Sequence, residues 1–239
     1  MNNIIITGGS KGIGLEITKK FLNEKKYKIF YISRGSIKKK LKGKNIKHIK
    51  CNVENIDEVK KISNLFKTKS IKILICNVGG GKYSKNGYEN IDDFNLAISK
   101  NFFSTINVIY CLKKKLMKNA KIVCISSIAS KNVCDAPIAY SASKSAINSF
   151  IESFAKNYKL NRLCITGILP GHVMHENSIW KRKIKTEKLK IKQMLKENIP
   201  QGKFITSKEI SDLVFLVCSL SGNSLNGSLL EAQGGITTK

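Results

Sequence analysis

Arginine is scarce in this chain. Of its 43 basic residues only Arg34, Arg162 and Arg182 are arginines, and lysines make up the rest, spread along the whole length. Acidic residues are few as well, and 16 Asp and Glu leave a formal net charge of +27. A charge of that size raises the question of nucleic acid. Arg is the usual reader of base edges, however, and no motif interleaves aromatic with basic residues, so no specific nucleic-acid binding is expected. Lys, Asn and Ile codons are A/T-rich, and a biased genome would account for much of the excess.

Other absences narrow the class further. No apolar run approaches the roughly 20 residues of a membrane span. The opening stretch N-N-I-I-I-T-G-G has no basic segment ahead of its apolar residues, as a signal peptide would, and runs into glycines. A cytoplasmic protein without membrane association is the expectation. The seven cysteines (Cys51, Cys76, Cys111, Cys124, Cys134, Cys164 and Cys218) form no C-x-x-C pair, and several lie in apolar runs such as I-L-I-C. They read as reduced core thiols. His48, His172 and His175 form no ligand cluster with them, so no metal is expected. No linker, repeat or low-complexity segment divides the 239 residues, which reads as one domain, 1–239.

What the chain has is alternation. Apolar runs at 3–7, 27–33, 46–50, 71–76, 120–126, 164–169 and 228–231 read as strands. Stretches of helical period lie between most of them, at 13–23, 57–66, 92–117, 140–158 and 207–220. Runs such as I-I-I-T do not alternate with polar residues, as befits strands buried on both sides. The pattern predicts an α/β fold, a doubly wound, mostly parallel sheet with helices on both faces. The stretch 172–199 follows a strand without a strand pattern of its own. Its place suits a helical flap over the sheet's carboxyl edge, where open α/β folds bind ligands.

The first strand runs into T-G-G-S-K-G-I-G, Thr7–Gly14. Gly8, Gly12 and Gly14 permit a tight turn and a close approach of backbone to a pyrophosphate, with a helix N-terminus aimed at the same place. A second constellation is A-Y-S-A-S-K-S, in which Tyr140 and Lys144 stand one helical turn apart among small residues. A free phenol, with a pKa near 10, is a sluggish acid at neutral pH. An ammonium beside it favours the phenolate and brings it into the working range. Ser141, Ala142 and Ser143 leave room for a substrate.

The G-x-x-x-G-x-G spacing and the Y-x-x-x-K pair together resemble the short-chain dehydrogenase/reductase family, and the resemblance spans essentially the whole chain. It implies a single-domain Rossmann fold of seven strands, a nicotinamide cofactor, and a catalytic set of Asn101, Ser127, Tyr140 and Lys144. Ser127, thirteen residues before Tyr140 in I-S-S-I-A-S, stands where the family's serine hydrogen-bonds the carbonyl. Ser126 is expected to point the other way. Asn101, in S-K-N-F-F-S, matches the asparagine that maintains a water-linked proton relay. Lys144 matches the residue that also holds the ribose hydroxyls.

The same resemblance assigns the cofactor contacts to Thr7, Gly8, Ser10, Lys11, Gly12, Ile13, Gly14, Asn52, Val53, Asn77, Gly79, Tyr140, Lys144, Pro170, Gly171 and Val173. The second strand ends in Ser33-Arg34 instead of the acid that would grip a ribose 2′-hydroxyl. A guanidinium there suits a 2′-phosphate, with Lys11 as a second charge, so NADP(H) is expected over NAD(H). Three positions depart from the family pattern: Cys76 and Val78 within C-N-V-G-G, and His175, where relatives carry Thr.

The I-P-Q-G-K and N-G-S-L-L-E-A-Q-G-G segments look most like the 3-oxoacyl-[acyl-carrier-protein] reductases. That resemblance implies a small or carrier-bound carbonyl substrate and an acidic acyl-carrier protein as partner, for which Lys113–Lys118 and Arg162 supply positive charge. Seven of the twelve residues at 181–192 are also basic. A solvated helix face explains them, and so would an anionic substrate. Trp180, Met174 and Met194 are expected to form the flap's apolar underside. A keto-sugar or polyol reductase and a non-catalytic nucleotide-binding protein are the alternatives. Homodimers or homotetramers through the fourth and fifth helices are what the family resemblance implies.

Overall fold

A computed structural model describes residues 1–35, 41, 43–84, 87–132, 136–158, 162–176 and 178–236. Cys134 lies outside the described residues. Seven strands form one parallel sheet: β1 (Asn2–Thr7), β2 (Tyr27–Ser33), β3 (Ile46–Lys50), β4 (Ile71–Cys76), β5 (Leu116–Ile125), β6 (Cys164–Pro170) and β9 (Leu229–Ala232). Their order across the sheet is β3-β2-β1-β4-β5-β6-β9. The chain runs outward from β1 to one edge, returns, and continues from β4 to the other. The β1–β4 boundary is therefore the point where strand order reverses, and open α/β sheets bind ligands outside the carboxyl ends of strands at such a point.

Each strand feeds both faces of the sheet. Ile4, Ile6, Ile73, Ile75, Val123 and Ile125 belong to one apolar cluster, with Ile17 and Phe21 of α1 (Gly12–Asn23) and Ile210, Val214 and Val217 of α8 (Ser207–Ser219). Ile5, Leu74, Cys76, Ile122 and Cys124 belong to the other. There they meet Val59 and Ile62 of α2 (Ile56–Ser63), Val108 and Leu112 of α4 (Ser104–Leu112), and Ile147 and Ile151 of α5 (Ile138–Asn157). This two-sided burial is why the strands carry no polar alternation. Cys76 and Cys124 face each other across the β4–β5 pair, so the departure at Cys76 is a core thiol packed on another thiol. Its hydrogen bond to Cys124, together with burial, holds it well above the ordinary thiol range.

Two expectations need correction. The helix expected at 92–117 is α3 (Ile91–Ala97), a π-helical segment Ile98–Phe103, and α4, which stops at Leu112. Lys113–Lys115 form a single 3-10 turn, and β5 starts at Leu116, paired with Ile71 of β4. The flap also holds a strand: β7 (Val173–Met174) pairs in parallel with β8 (Ile205–Thr206). Two residues are too few to show a period. The rest of the flap is helical, as α6 (Ile179–Thr186) and α7 (Lys188–Asn198). Its buried apolar contacts come from Ile191 and Ile199, while Trp180 is half-buried between His172 and Phe204, at ring separations of 4.3 and 5.2 Å. Among the described residues no helix is long and apolar enough to cross a membrane.

Candidate active site

The glycine loop leaves β1 at the strand-reversal point. Gly8 and Gly12 sit at φ +66° and +55°, a region that side chains other than glycine rarely adopt. Gly14 is needed for space: a Cβ there would lie 2.3 Å from the Gly8 carbonyl oxygen. Thr7 and Asn77 tie the loop to the neighbouring strand. The Thr7 hydroxyl accepts from the Asn77 amide at 2.9 Å, and the Asn77 side chain donates to the carbonyls of Thr7 and Gly8. Thr18 Oγ1 donates to the Gly14 carbonyl at 2.7 Å, bracing the first turn of α1. No side chain caps that helix, and its first turn holds no acid. Ser10 is half-buried, Lys11 is exposed, and Ile13 packs on the core beneath. The fit to a pyrophosphate is good: a backbone cradle, uncapped amides at a helix start, and no opposing charge.

At the end of β2, Arg34 is exposed and holds Glu54 at 3.1 Å. Asn52 and Val53 follow β3. The Asn52 amide N–H donates to Glu58, and the carbonyl of buried Val53 accepts from Asn107 of α4. On the other side Pro170 ends β6, and the Gly171 N–H donates to the Ala232 carbonyl at 2.9 Å. Val173 is buried at the start of β7.

Lys144 is the hub of the second constellation. It is 3% exposed, its Nζ donates to the Ile125 carbonyl at 2.8 Å, and the same Nζ lies 5.9 Å from the centre of the Tyr140 ring. Burial lowers its pKa to about 8. Ser126 turns into the α5 side, where its Oγ contacts the Lys144 carbonyl at 3.3 Å. Ser127, two residues past the end of β5, is half-buried, and its Oγ accepts from the Ala129 N–H.

Asn101 is fully buried within the π-helical segment. Its Oδ1 accepts from the Gly80 N–H at 2.7 Å, and its amide reaches Ser143 Oγ of α5 at 3.1 Å. A Cβ on Gly79 would lie 2.9 Å from both Asn101 Oδ1 and Lys144 Nζ. Gly79 therefore marks the spot where the β4 loop, the π-helical segment and α5 converge. A wider helical turn of this kind recurs at functional sites.

Tyr83 was not among the residues singled out by sequence. Its hydroxyl accepts from the Asn101 amide at 3.0 Å and donates to the Gly80 carbonyl at 2.8 Å. Its ring centre is 6.3 Å from that of Tyr140. Burial pushes its pKa up to about 12, against the opposing Asn101 hydrogen bond. The available signal was G-G-G-K-Y: a Cβ on Gly81 would lie 2.2 Å from the Tyr83 ring, so the glycine makes room for it. His175 stands over the glycine loop, its ring atoms 3.1–3.4 Å from where a Cβ on Gly12 would be. Its Nδ1 is buried without a hydrogen-bond partner.

The predicted residues thus gather along the carboxyl ends of β1 to β6, with Tyr140 and Lys144 on α5. A family model described as short chain dehydrogenase matches residues 2–186. The 3-oxoacyl-[acyl-carrier-protein] reductase FabG of Buchnera aphidicola subsp. Acyrthosiphon pisum (strain APS) is 27% identical over 242 residues, covering 97% of this chain and 95% of its own. Among solved structures, a short chain dehydrogenase family protein from Francisella tularensis subsp. tularensis SCHU S4 superposes with a TM-score of 0.87 at 25% identity, covering 98% of each chain. An NADPH-bound short chain oxidoreductase from Pseudomonas aeruginosa PAO1 has a TM-score of 0.86 at 20% identity, over 100% of this chain and 97% of its own. With the model spanning the sheet from β1 to the flap, the chain belongs to the short chain dehydrogenase family and is an oxidoreductase.

Proposed function

We propose that this chain uses NADPH to reduce a ketone to a secondary alcohol, and that the ketone is a 3-oxoacyl thioester carried by an acyl-carrier protein or coenzyme A. The observation that carries the reading is the position of Lys144, held between the end of β5 and the Gly79 wall with its ammonium near the Tyr140 ring. The glycine loop and the first turn of α1 would hold the pyrophosphate. Asn52 and Val53 would flank the adenine, and Pro170, Gly171 and Val173 the nicotinamide end. Arg34 and Lys11 would take the 2′-phosphate. Arg34 is free enough for this, its side chain being 59% exposed in its pair with Glu54.

Bound there, the dinucleotide supplies the hydride. Tyr140 gives its phenolic proton to the carbonyl oxygen, and Ser127 donates a hydrogen bond to the same oxygen. Lys144 stays mainly protonated below pH 8, so its charge favours the phenolate that Tyr140 becomes. Asn101 holds Gly80 and Ser143 in place around that ammonium and keeps the relay open.

Two things support the thioester. The 3-oxoacyl-[acyl-carrier-protein] reductase relative aligns along nearly the whole chain, and the flap beside the site carries exposed Lys181, Arg182, Lys185, Lys188, Lys190 and Lys192, which suit an acidic carrier. Half-exposed Phe103 and Tyr110, on and just before α4, support a homo-oligomer built through that helix and α5.

The test is NADPH consumption with acetoacetyl thioesters on coenzyme A and carrier protein, beside a panel of keto-sugars. Thioester turnover is expected, falling at least about a hundredfold in Tyr140→Phe while NADPH still binds. Turnover confined to sugars refutes the thioester, and no turnover despite NADPH binding refutes the reductase.

A further inference from the structure

The Nδ1 atom of the His175 ring has no hydrogen-bond partner among the described residues, and the ring has no place in the proton transfer set out above. His175 follows β7, and its ring lies against Gly12 of the glycine loop. We propose that His175 is a cofactor-binding residue of this chain: its imidazole donates to the pyrophosphate from the flap side, opposite the α1 amides, and takes up a proton as the dinucleotide binds. The inference rests on the proposed placement of the dinucleotide on the glycine loop.

Three observations support it. The Nδ1 atom is buried and unsatisfied, which is costly unless a partner arrives. The flap already places the ring beside the glycine loop, its atoms 3.1–3.4 Å from where a Cβ on Gly12 would be. The surroundings of the ring also favour neutrality until an anion is present: burial first, then the Lys11 charge, hold its pKa below the ordinary histidine value.

Lys11 is the charged group facing the ring from the glycine loop. On its own segment Glu176 is exposed, and His172 is engaged with Trp180. At the start of α6 stands uncharged Ser178, whose N–H donates to the His175 carbonyl.

The sign follows from linkage. A pyrophosphate beside the ring favours imidazolium, so the pKa rises on binding and a proton is taken up. Cofactor affinity must then strengthen as pH falls through the bound-state pKa, levelling off below the free-state one. A threonine at this position could donate a hydrogen bond but would bring no such dependence.

The experiment is calorimetric titration with NADP⁺, which is stable in acid, from pH 5.5 to 8.5 on wild type, His175→Gln and His175→Thr. The 2′-phosphate titrates equally in all three and cancels in the Kd ratios. The variant-to-wild-type ratio should grow from about twofold at the alkaline end to about tenfold at the acid end, as a charge-assisted bond replaces a neutral one. The His175 imidazole resonance of wild type alone should show a pKa that rises when NADP⁺ saturates the protein, which keeps the proposal testable should a variant misfold. A pH-independent ratio, or a pKa that stays put on saturation, overturns the role of His175 while leaving the cofactor site standing. Failure of wild type to bind NADP⁺ at any pH overturns both.

Discussion

Burying Lys144 has a cost that a single substitution can expose. Its pKa falls from an ordinary 10.5 to about 8, with burial the leading cause. At about 1.4 kcal/mol per pKa unit, this corresponds to about 3 kcal/mol of folding stability forgone at pH 7. The sign runs as for any depressed base. Below about pH 8 both the folded and the unfolded chain hold the proton, and the penalty is complete. Between about 8 and 10.5 the unfolded chain still binds the proton that the folded one has released, so wild-type stability climbs with pH and the penalty shrinks to about 1 kcal/mol by pH 10.

Lys144→Met keeps the packing of the stem and removes the charge. It also deprives the Ile125 carbonyl of its 2.8 Å donor, at a cost of about 1–3 kcal/mol. The variant should be inactive yet as stable as wild type at pH 7, or more stable by up to about 2 kcal/mol. Its advantage should fall by about 2 kcal/mol between pH 7 and 10. Urea unfolding of both proteins at matched pH reads this difference, in which titrations common to both cancel. A stability difference that stays flat across that range refutes the reasoning.

Gly14→Ala would force a Cβ to 2.3 Å from the Gly8 carbonyl and 2.5 Å from Asn77 Nδ2, neither of them the free end of a long chain. The loss should be about 1–3 kcal/mol, read as a fall of several degrees in Tm together with lost cofactor binding; an unchanged Tm would show that the loop has room to spare. Arg34→Ala should weaken NADPH about tenfold and leave NADH nearly unchanged, because only the 2′-phosphate loses a charge-assisted partner. Equal losses for the two cofactors, measured by quenching of Trp180 fluorescence, would place Arg34 elsewhere in recognition.

The sheet was legible in the sequence because burial on both faces leaves a plain mark: I-I-I-T and I-L-I-C have no polar alternation to confuse with a helix. Their boundaries came within a few residues wherever a turn residue or glycine followed. What stayed hidden was short or cooperative. Val173–Met174 pairs over two residues, below the length at which any period can be seen. The π-helical segment Ile98–Phe103 differs from its flanking α-turns by the placement of one residue, and nothing in I-S-K-N-F-F distinguishes the two. Tyr83 matters because Asn101, eighteen positions away, hydrogen-bonds it. Arg34 was legible as a cation just past the second strand, but its pairing with Glu54 depends on β2 and β3 lying side by side.

The small residues around Tyr140 and Lys144 do more than leave open space. Three segments meet there, and two of them do so through Gly79 and Ser143. Gly79 passes so close to Asn101 and Lys144 that a methyl group would collide with both. Ser143 is fully buried and accepts the Asn101 amide while donating to the Tyr140 carbonyl, so it joins the π-helical segment to the first turn of α5. A leucine at 143 would add apolar area but sever that link and push α5 away from Asn101. Holding an ammonium at a fixed short range from a phenol, out of water, needs a rigid polar scaffold more than it needs further apolar packing. Ser143 and Gly79 are therefore what the proposed chemistry requires of the fold, and Ser143 shows why α5 spends a core-facing position on a residue that contributes little hydrophobic stability.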